Sequence, residues 1–221
     1  MAKEKSSFTG SLLIAFGLIA VLWVVYVLQF YEVIHTEAYG NWPQHLEGLK
    51  GIIFSPFIHG SFEHLISNTV PMLILLTVLL NAYPKAALTA LVFIHLVSGT
   101  LVWLLAPDTG LHVGISGIIY GIAAFLVASG IFRKDRTSVT IAGFVVFIYG
   151  SLVLGFVPEH GVSWQSHLYG ALSGVIIAWF LRKLDMPPPH EFELEEIEEE
   201  KHFFDPDNHR TEKVSENDMA Q

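Results

Sequence analysis

The chain has 221 residues, 52% of them hydrophobic and only 15% charged, with a mean hydropathy of +0.51 and no cysteine. That balance is too apolar for a soluble domain of this size and points to a polytopic membrane protein, while the absence of thiols excludes disulfides and cysteine chemistry. The net charge of −9 is local: residues 1–185 carry nine acidic and nine basic side chains, and residues 186–221 carry twelve acidic against three basic, so no basic surface for a nucleic-acid partner is expected.

In chain order, a short basic stretch, residues 1–10, precedes an uncleaved first span at about Ser11–Tyr31. Residues 32–58 are mixed and end in the apolar Gly51-Ile52-Ile53-Phe54-Ser55-Pro56-Phe57, which suits a loop lying partly in the membrane interface. A second span runs from about Glu63 to Asn81, a third from Ala86 to Ala106, and Pro107-Asp108-Thr109-Gly110 marks a turn. The fourth span, Ile115–Phe132, closes on Arg133-Lys134-Asp135-Arg136; the fifth is Val139–Val157 and the sixth Ser163–Leu184. The expected fold is therefore all-α: a six-transmembrane-helix bundle over residues 11–184, followed by an acidic cytoplasmic tail, 185–221, without a stable fold. Lys3, Lys5, Lys85, Arg133, Lys134, Arg136, Arg182 and Lys183 fall on one side of such a bundle and Lys50 on the other, which places both termini in the cytoplasm.

Polar residues inside apolar spans normally face the bundle interior and mark a functional site. Here they are His64, Asn68, Ser116 and His167, each near the outer end of its span. His64 and Asn68 are four apart and share a helix face, as do Ser116 and Tyr120. Gly117 and Gly121 form a groove beside the serine, and Gly170 and Gly174 leave the face below His167 bare, so the two spans can approach closely enough for the imidazole to reach the hydroxyl. A nucleophile and its base need that arrangement.

The chain resembles the rhomboid intramembrane serine proteases on three separated elements: His59-Gly60-x-x-x-His64-x-x-x-Asn68, Gly114-x-Ser116-Gly117-x-x-Tyr120-Gly121, and His167-x-x-Gly170-x-x-x-Gly174. The resemblance implies Ser116 as nucleophile and His167 as general base and then acid. It implies that His64, Asn68 and the Ser116 backbone N–H donate to the oxyanion, that Tyr120 packs beside His167, and that Gly114 keeps the loop before the serine open. His59 would hold the first loop. The implied substrates are membrane proteins, cleaved in a transmembrane helix that enters from the lipid bilayer, by a Ser–His dyad without cofactor. Two departures stand out: Lys50-Gly51-Ile52 occupies the place of a Trp-Arg pair common in the first loop, and Pro71 lies in the second span. The alternative is a catalytically silent rhomboid-like protein that binds or escorts other spans; silent members usually lack the serine or the histidine.

The remaining histidines suggest a metal site, but none is expected. His59 and His64 are five residues apart, about 500° of helical rotation, which leaves them roughly 140° off a shared face. His95 reads as a satisfied interior residue, and His35, His45, His112 and His160 as solvated loop residues. Glu191–Glu200, with Phe192, Leu194 and Ile197, could form a short acidic helix that projects from the anionic inner leaflet or meets a basic partner, and His190, His202 and His209 could hold metal only loosely.

Overall fold

Ser61, Asp135 and Ser163 each place a side-chain oxygen on the first free amides of a long helix, accepting from His64 N, Ser138 N and Ser166 N respectively. These caps set the starts of three of the seven α-helices in the computed structural model, which describes residues 7–108, 110–158 and 163–186. The helices are α1 (Phe8–Phe30), the single turn α2 (Gly51–Phe54), α3 (Phe62–Ala82), α4 (Ala87–Leu105), α5 (Ser116–Arg133), α6 (Arg136–Tyr149) and α7 (Trp164–Leu181). No strand forms among the described residues. The described residues up to Met186 belong to one compact unit. The expectations for residues 1–6, His160 and the acidic tail from Pro187 onward lie outside the described residues.

Among the described residues, five helices are long and apolar enough to cross a membrane: α1, α3, α4, α5 and α6 with its continuation to Phe156. The sixth expected span, α7, is as long as α5 at 18 residues, but it opens on Gln165-Ser166-His167 and falls short on apolarity. The first four expected spans agree with α1, α3, α4 and α5 to within a few residues, and α3 runs through Pro71 without ending. The fifth differs: after Tyr149 the α-helix tightens into a 3-10 segment over Gly150–Phe156. Gly150 and Ser151 are poor helix formers, and two carbonyls of this segment are turned toward the neighbouring helices, as described below.

α5 is the axis of the bundle. Every residue from Ser116 to Ala123 is buried, and the helix packs on α3, α4, α6 and α7, while α1 packs on α3. Small residues allow this. A Cβ at Gly170 would stand 2.0 Å from the Gly117 carbonyl oxygen, and one at Gly174 would stand 2.0 Å from that of Gly121, so α5 and α7 meet backbone to backbone along the face expected from the glycine spacing. α6 buries only Ser138 and Val145 among its residues, and Phe147 is 85% exposed. Such outward apolar side chains are what lipid contact requires.

The first loop is tied down without a Trp-Arg pair. Asn41 and His112 exchange backbone hydrogen bonds of 2.9 Å in an isolated antiparallel bridge, and Asn41 Nδ2 donates to the Gly99 carbonyl at 2.8 Å. Trp42 Nε1 donates to Asp108 at 2.7 Å, His45 bonds the other Asp108 oxygen at 3.0 Å, and the Trp42 and His45 rings stack. His45 is thus half-exposed and bonded rather than freely solvated; His35 is exposed, as expected. Two of the three polar elements singled out in the sequence sit at the N-terminal ends of α5 and α7, and the third opens α3.

Candidate active site

Ser116 is the first residue of α5 and His167 lies in the first turn of α7; both are buried. The Ser116 Oγ and His167 Nε2 are 2.9 Å apart. The other ring nitrogen, Nδ1, lies 2.8 Å from the Gly155 carbonyl oxygen in the 3-10 segment. A carbonyl can only accept, so Nδ1 carries the proton, and the lone pair of the neutral ring is on Nε2, facing the serine hydroxyl. No carboxylate is needed to fix that tautomer.

The plane of the ring is fixed as well. Tyr120 stacks on His167 with centroids 4.0 Å apart and planes 4° from parallel, and its hydroxyl donates to the Leu152 carbonyl at 2.8 Å. The segment Gly150–Phe156 therefore holds both partners through two carbonyls three residues apart. Gly155 has to be glycine for this: a Cβ there would fall 1.9 Å from the Tyr120 hydroxyl oxygen and 3.0 Å from His167 Nδ1. Sequence reasoning finds Tyr120 and misses Gly155, because a backbone carbonyl carries no residue-type signal.

His64 is half-buried and stands against the serine-bearing segment. Gly114, with φ +105°, makes room for it: a Cβ on Gly114 would lie 2.6 Å from His64 Cε1 and 2.8 Å from Nε2. Gly114 thereby makes a socket for the His64 ring, and its amide is held by the Ser55 carbonyl at 2.9 Å. Asn68 lies one turn below His64 and is buried, with its side-chain amide donating to the His64 carbonyl at 2.9 Å; its second N–H is on the same nitrogen.

His59 is fully buried, its ring edge-on to that of His64 with centroids 5.2 Å apart, and its carbonyl accepts from Gln29 Nε2 at 3.0 Å. It thus links the start of α3 to α1. Burial first, then the neighbouring His64, push its pKa down to about 4 against the opposing effect of the Phe57 backbone. His95 is half-buried on α4 and contacts the backbone of Ile52 and Ile53. His112 departs from its expected solvated state. It is 7% exposed, its Nδ1 bonds the Ser163 hydroxyl, and burial pushes its pKa below the ordinary value. The misleading feature is the turn signal at residues 107–110, which made its neighbours look like open loop. No group of three or more His, Asp or Glu able to hold a metal occurs among the described residues.

A cavity of about 30 Å³ lies behind the serine, lined among others by Asn41, Ser55, Ser98, His112, Gly117 and Ser166. Its size and polar wall suit a single ordered water.

An integral membrane bundle with a buried hydroxyl–imidazole pair at one end of its central helix is the class of protein these features define. Residues 46–184 match the family model of the Rhomboid domain. Uncharacterized proteins of Mycobacterium tuberculosis and Mycobacterium bovis are 33% identical over 174 residues, spanning 74% of this chain and 72% of theirs. An uncharacterized protein of Mycobacterium leprae is 38% identical over 146 residues, spanning 60% of this chain and 56% of its own. The chain belongs to the rhomboid family.

Proposed function

We propose that this protein is an intramembrane serine endopeptidase that cleaves transmembrane segments of membrane-protein substrates through a Ser116–His167 dyad and an acyl-enzyme. The observation that carries the reading is the 2.9 Å contact between the Ser116 hydroxyl and a His167 nitrogen whose lone pair is aimed by the Gly155 carbonyl. His167 Nε2 takes the hydroxyl proton as Ser116 Oγ attacks the scissile carbonyl, then gives it to the leaving amine. The oxyanion forms beside the Ser116 amide, which at the first position of α5 has no intrahelical partner, and near His64 and Asn68. The imidazolium leans on the Gly155 carbonyl and the Tyr120 face, the support that a carboxylate gives elsewhere. Water from the small polar cavity then hydrolyses the acyl-enzyme, with His167 as base.

Substrates reach the site from the bilayer, the route that the resemblance to the rhomboid proteases implies. The scissile segment has to unwind, since an intact helix shields its own carbonyls. The distribution of lysine and arginine supports both termini being cytoplasmic with all six long helices spanning, and the bacterial relatives fit a bacterial inner-membrane location. Retention of both Ser116 and His167 within bonding distance speaks against a silent escort. Purified protein and a single-span model substrate test the reading: cleavage is expected to disappear in Ser116→Ala and in His167→Ala, and undiminished cleavage by Ser116→Ala would remove it.

A further inference from the structure

Resting on the endopeptidase reading, we propose that His112 is a positioning residue. Through Ser163 it holds the N-terminus of α7 against the segment that carries Ser116, and so sets the separation of the hydroxyl and the imidazole.

The two catalytic side chains sit on different elements, and something has to fix the distance between them to a few tenths of an ångström. On the inner side, α5 and α7 touch through glycine backbones. Glycine contacts bring axes close but present no interlocking side chains against tilting or sliding. On the outer side, the tie is made by side chains. His112 Nδ1 bonds the Ser163 hydroxyl, which also lies 2.6 Å from the Ser166 hydroxyl and accepts from the Ser166 amide at 3.3 Å. His112 precedes Ser116 by four residues, and Ser163 precedes His167 by four. The dyad is thus bracketed, with the glycine groove on one side and the imidazole–hydroxyl chain on the other.

The His112 end of this chain is firmly based. Its amide and carbonyl both bond Asn41 at 2.9 Å, Asn41 is held to α4 through the Gly99 carbonyl, and two residues on the Gly114 amide bonds the Ser55 carbonyl. Without His112, the capping hydroxyl of α7 keeps its bonds within its own helix but loses its hold on the serine segment. A shift of about 1 Å in the 2.9 Å contact takes it beyond hydrogen-bond reach, and misplacement of that size can cost about 10²-fold in rate.

The experiment compares full-length wild type, His112→Ala, His112→Asn, Ser163→Ala and the His112→Ala/Ser163→Ala double variant. It reads the rate of fluorophosphonate labelling of Ser116 alongside kcat and KM on a single-span substrate, with His35→Ala as an exposed control expected to behave as wild type. His112→Ala and Ser163→Ala are each expected to slow both labelling and kcat by about 10- to 100-fold with KM within about twofold. The double variant should be no worse than either single one, because both break the same link. His112→Asn, whose amide nitrogen can stand in for Nδ1, should recover most of the loss. Ser163→Ala also removes the N-cap of α7, so if His112→Ala does not fold the test rests on His112→Asn, which keeps a side-chain amide at the Nδ1 position and leaves the cap in place. Wild-type labelling rates in the single variants, additive losses in the double variant, or no recovery with asparagine would each overturn the proposal. So would normal labelling with slowed turnover, which would assign His112 to water supply from the cavity it lines. A wild-type protein that does not label at Ser116 would remove the endopeptidase reading itself, a result distinct from all of these.

Discussion

His167 is held at three places: its face by Tyr120, Nδ1 by the Gly155 carbonyl and Nε2 by Ser116. Gly155→Ala would place a methyl group 1.9 Å from the Tyr120 hydroxyl oxygen, so one ring or the 3-10 segment has to move. We expect kcat to fall about 10²-fold, with partial recovery in Gly155→Ala/Tyr120→Phe, where the nearest clashing atom is gone; a wild-type kcat in Gly155→Ala would refute the role given to that carbonyl. His59 makes a different prediction. Its folded pKa, about 4, lies below the ordinary histidine value of 6.5, so the unfolded chain binds the extra proton first and stability falls as pH drops through this window. Between pH 7 and pH 5 the loss from this residue is about 2 kcal/mol. Thermal unfolding in detergent should show it, and His59→Leu should flatten that part of the pH dependence. The meeting of Ser116 with His167 was legible in the sequence because polar groups in apolar spans turn inward and the glycine faces allow close approach, whereas the places given to Tyr120 and His64 came from the resemblance. Gly155 was not, since what it contributes is a carbonyl and the room left by a missing side chain. His112 was not either, because its burial depends on a partner 51 residues away.

At the scale of elements, the contact between α5 and α7 is the joint on which the site depends. Gly174→Val would drive side-chain atoms into a backbone only 2.0 Å from the position of its Cβ, where no flexible group can yield. The two helices then separate. Both thermal stability and labelling of Ser116 should be lost together in Gly174→Val, whereas Gly143→Ala, at a position with open space around it, should leave both intact. This joint could be read directly from the four-residue glycine spacing. The break in the fifth span could be read only in part: Gly150-Ser151 weakens the helix there, but the turn to 3-10 geometry serves contacts to Tyr120 and His167 that only the packed bundle creates.

Across the whole molecule, the end opposite the dyad is fastened by Arg133, about 26 Å away along α5. Its side chain is 2% exposed; it pairs with Asp135 at 3.3 Å, donates to the Leu184 and Asp185 carbonyls at 2.6 Å, and lies over the Tyr83 ring. The Asp185 carboxylate in turn accepts from the Lys85 and Ala86 amides. The turns after α3, α5 and α7 are thereby joined. In the sequence Arg133 reads as one more cytoplasmic charge; in the structure it is a buried connector. Arg133→Ala should cost about 3 kcal/mol of stability while leaving the dyad geometry, and hence kcat at low temperature, near wild type; a loss of kcat without a loss of stability would contradict this division of labour. The measurement that tests the central claim most directly is reaction of the purified membrane protein with a serine-directed fluorophosphonate, mapped to a residue by peptide mass spectrometry. One adduct on Ser116, abolished in His167→Ala, is the result predicted; an unmodified Ser116 in folded protein, or an adduct that persists without His167, would contradict it.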